Sequence, residues 1–217
     1  INIKESIMPA AWRQVKVGFD EANKQNADII LIHMNTYGGM VDVADSIRTK
    51  ILNSPIPVWV FIDNQAASAG ALISIACDSI YMRKGGSIGA ATVVDQSGNV
   101  VPDKFQSFMR STMRATAEAK GKDTIVVGRD TIVKWRRDPH IAEAMVDPSI
   151  YIKGIIDSGK VLTFTAEEAI KHGYCEGKVE TVEDLLNHAG VKNYTLAEFK
   201  PSFLDKIFGF LTNPIVS

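Results

Sequence analysis

Apolar positions along the chain change period several times, and those changes mark out its elements. The runs "ADIILIHM" (27–34) and "IPVWVFI" (56–62) are nearly continuous in apolar residues, the pattern of strands covered on both faces. Pro55 and Pro57 fence the second run. Between them, Val43, Ile47 and Ile51 recur at helical spacing, predicting a helix over 41–52. Trp12, Val15, Val17 and Phe19 mark an earlier helix to about residue 24, preceded by a short strand in "INIKESI". A helix over 68–77 and the strand "SIYM" follow the second apolar run. The middle, "RKGGSIGAATVVDQSGNVV", is turn-laden, and Pro102-Asp103 then opens a long helix from Lys104 to about Lys120. Residues 121–150 read as a charged loop with a possible helix. Beyond them come a strand, a helix ended by Gly173, a further strand and a helix ended by Gly190. Alternating strands and helices of this length predict βαβ units in a mainly parallel sheet, hence an α/β fold.

Composition narrows the class of function. The 217 residues carry 24 basic and 25 acidic side chains, a net charge of −1, so no field of one sign is available to attract nucleic acid. Two cysteines, Cys77 and Cys175, are not spaced as a metal pair and leave the redox compartment open. No metal or cofactor is expected. No run of about 18 apolar residues spans a bilayer. A chain that opens on Ile1 and not on Met is expected to have lost something upstream.

Chemistry concentrates in "FIDNQAASAG" (61–70), where a strand runs into five very small residues. Small residues suit places where backbones approach closely or one side chain must stand clear. Ser68 is the only reactive member, and it has two readings: the N-cap of the following helix, or a nucleophile. "NTYGGMVD" (35–42) repeats the arrangement of strand, tight turn and helix. Both turns fall at the carboxyl ends of parallel strands, where α/β proteins place their sites. Backbone N–H groups at Gly38 or Gly39, with that of Ala69, would form a hole for a developing oxyanion.

No histidine is well placed as a base. His33 reads as a satisfied core residue, His172 and His188 as helix C-terminal cations, and His140 as solvated. Lysine can take that role where burial favours its neutral form. Lys104, at the start of a helix 36 positions beyond Ser68, is the candidate, with a solvent-facing helix lysine as the plainer reading.

Three segments together, "NTYGGMVDVADSIRTKILNSPIPVWVFI", "ASAGALISIACDSIYMRKGGSIGAA" and "LTFTAEEAIKHGYCEGKVETVEDLL", resemble the NfeD-type membrane-bound serine proteases of the ClpP class. The resemblance implies a ClpP/crotonase-like fold and a Ser-Lys endopeptidase. Ser68 matches the nucleophile, Lys104 the base, and Gly38, Gly39 and Ala69 the oxyanion and substrate-strand turns. It divides the chain into a protease domain over 1–190 and an amphipathic segment over 191–217 that leads toward a membrane region. It implies an apolar peptide substrate, from a stomatin-like membrane protein, and a homodimer or larger homo-oligomer. It also implies a membrane-anchored full-length protein, with this domain itself soluble and extracytoplasmic. Tyr37 stands where the family usually has Pro, and residues 122–150 are longer than the family pattern requires. Two alternatives share the scaffold: a crotonase-type acyl-CoA enzyme that uses only the two N–H groups, and a non-catalytic domain that binds a membrane protein.

Overall fold

A computed structural model describes residues 1–127 and 130–200. In chain order the elements are β1 (Asn2–Ile3), α1 (Pro9–Lys24), β2 (Ile30–Thr36), α2 (Val41–Leu52), β3 (Val58–Ala67), α3 (Ala69–Ala76), β4 (Ser79–Met82) and β5 (Ser87–Gly89). They continue with α4 (Asp103–Ala119), β6 (Lys122–Val127), β7 (Asp130–Trp135), α5 (Pro139–Ala144), β8 (Thr163–Thr165), α6 (Ala166–Lys171), β9 (Gly177–Lys178) and α7 (Val182–His188). The predicted amphipathic segment lies for the most part outside the described residues. Among the described residues, no helix is long and apolar enough to cross a membrane.

β1, β2, β3, β4 and β9 lie side by side in that order, all parallel. The predicted α/β architecture with a mainly parallel sheet is what forms. β3 outruns β4, and its last residues pair instead with β5, Gln65 opposite Ser87 and Ala67 opposite Gly89. In this sheet β8 runs antiparallel, against β5. The register between β2 and β3 jumps from Met34↔Ile62 to Thr36↔Ala66, so β3 carries extra residues just before the small-residue turn. Such a bulge re-aims the strand end. It brings Ala66–Ser68 beside the end of β2.

β2 departs from the expected two-sided burial. Ile30, Ile32, Met34 and Thr36 are buried, while Leu31, His33 and Asn35 between them are half-buried. The first face packs into the main core, to which α1, α2 and α3 contribute, with α4 lying against α3. The second is covered by a small cluster of Phe61, Tyr81, Val179, Leu185 and Leu186, because α7 is only seven residues long. His33 sits on this face as a satisfied residue, its Nε2 3.2 Å from Asp63 Oδ2 and its ring 5.1 Å from that of Phe61. Arg83 pairs with the other oxygen of Asp63. Burial and then Lys4 push the imidazole below its ordinary pKa, against the pull of Asp63.

The 121–150 region contains more structure than its charge pattern suggests. It holds the antiparallel ribbon β6–β7 and then α5, whose start is capped by the Asp138 carboxylate accepting from the His140 N–H. Arg137, between ribbon and helix, is wholly buried. Its Nη2 meets Glu176 Oε1 at 3.3 Å, while Nε and Nη1 have no hydrogen-bond partner among the described residues. The other Glu176 oxygen accepts the Ile80 N–H at 2.5 Å, which ties this pair to β4. Glu176→Ala strands a buried guanidinium charge, and is expected to cost about 3–5 kcal/mol in urea unfolding. Arg137→Met, which leaves only a half-exposed carboxylate, should cost less than half as much. Equal losses would show that the charge is solvated where it sits. Cys77 and Cys175 are both buried free thiols, pushed up to about 12 by desolvation.

Candidate active site

Ser68 occupies the N-cap position of α3, yet its side chain makes no capping hydrogen bond. The cap reading of this serine therefore fails at the level of geometry. Its backbone lies at φ 54°, ψ −116°, a region that L-residues avoid. Two neighbours hold it there. The Ser68 N–H donates to the Gly89 carbonyl at 2.9 Å, fastening the turn to the end of β5. The Ser68 carbonyl accepts from Ala71 N–H at 3.0 Å, the first bond of α3. The result is a half-buried hydroxyl held out from a sharp strand-to-helix turn. Ser68→Gly should remove that strain and raise unfolding free energy by roughly 1–2 kcal/mol in urea titration. A destabilised glycine variant would show that the serine side chain supports the fold.

The small neighbours follow from close approach. A Cβ on Gly70 would stand 2.6 Å from Thr36 Cγ2, so only glycine lets α3 start against β2. A Cβ on Gly38 would stand 2.8 Å from Ser68 Cβ and 3.2 Å from its Oγ. The Gly-Gly turn thus lies directly against the serine. Thr36 fixes this turn: its hydroxyl donates to the Glu5 carbonyl at 2.7 Å and accepts the Gly38 N–H at 3.1 Å. Ile7 braces the other side, donating to Gly38 O and accepting from Met40 N–H, each at 2.8 Å.

These bonds separate the two glycines. The Gly38 N–H is occupied by Thr36. The Gly39 and Ala69 N–H groups have no acceptor among the described residues. A Cβ on Gly39 would fall 2.3 Å from Ile7 O, a backbone atom that cannot move without breaking the turn. Gly39→Ala is therefore expected to lower any Ser68-dependent activity by about 10²-fold or more, the scale of losing one oxyanion donor. Activity within twofold of the parent would show that this turn does not face the reaction. Thr36 and Ile7 escape sequence reading as site residues, although Thr two places before Gly is a known turn signal.

Lys104 stands in the first turn of α4, exposed, with Nζ 4.8 Å from the centre of the Phe105 ring. No hydrogen bond or ion pair joins it to Ser68 among the described residues. Asp103 is turned to Arg110, whose Nη2 lies 3.2 Å from Asp103 Oδ1 and whose Nη1 lies 2.9 Å from Asp147 Oδ2. That carboxylate is therefore engaged away from Lys104. The loop between β5 and α4 is pinned by Gln106, which accepts from Val93 N–H at 3.0 Å and donates to Val93 O at 2.7 Å. A cavity of ≈ 350 Å³ opens beside this loop, between Thr92, Val101, Val146 and Val161. The segments carrying the site expose large apolar side chains: Tyr37 and Met40 around the glycines, Val94 and Val100 in the loop, Phe105 and Phe108 on α4. The remaining histidines stand elsewhere, His172 stacked on Phe164, His188 against Tyr81, and His140 near Glu143.

The family model described as NfeD1b, N-terminal domain, matches residues 1–129 and 128–199. The chain belongs to that family. The membrane protein NfeD1b of Bacillus subtilis is 36% identical to this chain over 197 residues, which is 90% of the chain and 42% of that protein. The membrane-bound protease PH1510 of Pyrococcus horikoshii is 28% identical over 240 residues, 100% of the chain and 48% of that protein. The chain thus spans about half the length of these curated relatives. Among solved structures, the lysine-to-alanine mutant of the 1510-N membrane-bound stomatin-specific protease, in complex with a substrate peptide, superposes with a TM-score of 0.75. It is 25% identical, and the match covers 97% of this chain and 95% of that one. ClpP1 of Listeria monocytogenes, 18% identical at a TM-score of 0.59 over 88% of this chain and 94% of its own, shares the fold. The fold is ClpP-like.

Proposed function

We propose that this NfeD1b-family domain is a serine endopeptidase acting through an acyl-enzyme at Ser68. The observation that carries the reading is the uncommitted Ser68 hydroxyl, held in a strained backbone at the start of α3 with no capping bond. In this reading neutral Lys104 Nζ takes the Ser68 proton as Oγ attacks the scissile carbonyl carbon. The oxyanion receives hydrogen bonds from Gly39 and Ala69 N–H, neither of which has an acceptor among the described residues. Collapse of the tetrahedral species expels the amine, which leaves with that proton. Water then hydrolyses the ester and regenerates the serine.

Lys104 is exposed in the single chain. The desolvation a lysine base needs therefore comes from what covers the rim: substrate, or a second copy in a homo-oligomer. The exposed apolar residues beside the site suit an apolar peptide, and the stomatin-specific relative supports a stomatin-like membrane protein as its source. The test is to incubate the chain with a synthetic peptide containing an apolar stretch and map the fragments by mass. Cleavage within the apolar stretch is expected, with none in a control peptide interrupted by charges. A peptide left intact over a day, at millimolar concentration, would overturn the reading.

A further inference from the structure

The ribbon β6–β7 pairs with no other strand among the described residues. Its register runs without interruption from Lys122↔Trp135 to Val127↔Asp130. Val126 is 70% exposed, Ile132 50% and Val133 59%. Two strands alone are marginal in water, and three or more are needed for independent stability. An open edge of β-branched residues is also a template for another strand. At one end Trp135 is half-buried, its ring centre 4.3 Å from Lys122 Nζ, while the residues before it in β7 are exposed. The open stretch is 130–134.

The sequence of that stretch indicates what completes the sheet. Read along β7 it is Asp130, Thr131, Ile132, Val133, Lys134. Laid antiparallel on a second copy about Ile132, Asp130 faces Lys134 of the second copy and Lys134 faces Asp130. Thr131 faces Val133, and Ile132 meets itself. Opposite charges and β-branched pairs directly across strands are favourable. The register joins residues of like parity, the condition for outward-pointing N–H and C=O groups of two antiparallel edges to meet. β6 has no such symmetry: every antiparallel self-pairing of like parity within Lys122–Val127 leaves Lys122 or Asp123 unmatched by an opposite charge.

We infer that the β7 edge is a two-fold self-association surface, on which a second copy of this chain adds its own β7 antiparallel about Ile132. The product is a four-stranded sheet built from two ribbons, with a closed isologous contact. This inference does not depend on the chemistry at Ser68; it rests on the homo-oligomer reading and names the surface. A six-residue strand buries less than a standard stable interface, so the association is reversible and concentration-dependent.

Sedimentation velocity over a concentration series of the full 217-residue chain tests it. Asp130→Lys sets like charges across the contact, as does Lys134→Asp. Each variant alone should self-associate at least tenfold more weakly than the parent. An equimolar mixture of the two should recover parent-like association, because both cross-strand pairs are then opposite in sign. Lys134 also faces Asp123 within its own ribbon, whereas Asp130 faces Val127, so Asp130→Lys is the cleaner single arm. Far-UV circular dichroism matching the parent confirms that the ribbon persists. If the parent stays monomeric throughout, both the surface and the homo-oligomer reading fall. If the parent associates and the variants associate equally well, the surface is wrong and the oligomer stands. A mixture that fails to recover rejects the register about Ile132.

Discussion

Ser68→Ala is expected to lower peptide turnover by about 10⁴–10⁶-fold, with the fold intact. The size follows from covalent catalysis: without Oγ there is no acyl-enzyme, and only binding and the two backbone donors remain to help water. The same substitution should be nearly silent in structure, because the Ser68 side chain caps nothing and its N–H bond to Gly89 belongs to the backbone. Peptide affinity should therefore hold while kcat collapses. A crotonase-type enzyme on this scaffold behaves differently. It would keep its rate on an acyl-CoA thioester in the Ser68→Ala variant, since Gly39 and Ala69 N–H groups survive the change. Discontinuous assays of both substrates on parent and variant decide the matter. An alanine variant that still cleaves peptide within tenfold of the parent removes Ser68 from the mechanism.

Lys104→Arg is expected to lower kcat/KM by about 10³-fold, within the usual span for loss of a general base. Charge and approximate length are kept, but a guanidinium does not give up its proton at any working pH. Parent activity should rise with pH, because a lysine takes the serine proton only when neutral, and that rising limb should vanish in the arginine variant. The carboxylate adjacent in sequence does not oppose this, since Asp103 is paired with Arg110. His33, the half-buried histidine of β2, is hydrogen-bonded to Asp63 and packed on Phe61. His33→Gln should therefore leave the pH limb in place. An active Lys104→Arg enzyme with an unchanged pH profile would show that some other group takes the proton.

Local patterns made much of this molecule legible. The helix over 41–52 and the strand "SIYM" stand where period and fencing residues put them, because each is specified by its own apolar stripe or run. Ser68 and the Gly-Gly turn stand out in the sequence because very small residues after a buried strand mark a close approach of backbones. What escaped depends on distant contacts. The strained φ of Ser68 is set by Gly89, 21 positions on, and the choice between Gly38 and Gly39 by Thr36 and Ile7. The ribbon in 122–135 had a readable signal, two β-branched runs around "GRD", but the flanking charges obscured it. The exposure of Lys104 could not be read from a helix start alone, since it is decided by what covers that end of α4.

The most direct test of a nucleophilic Ser68 is covalent labelling. The chain is treated with a serine-directed fluorophosphonate, digested with trypsin and mapped by mass spectrometry. A single adduct on Ser68 is expected, formed more slowly in Lys104→Arg and absent in Ser68→Ala. Peptide cleavage by a preparation whose Ser68 stays unmodified under saturating reagent would contradict the account.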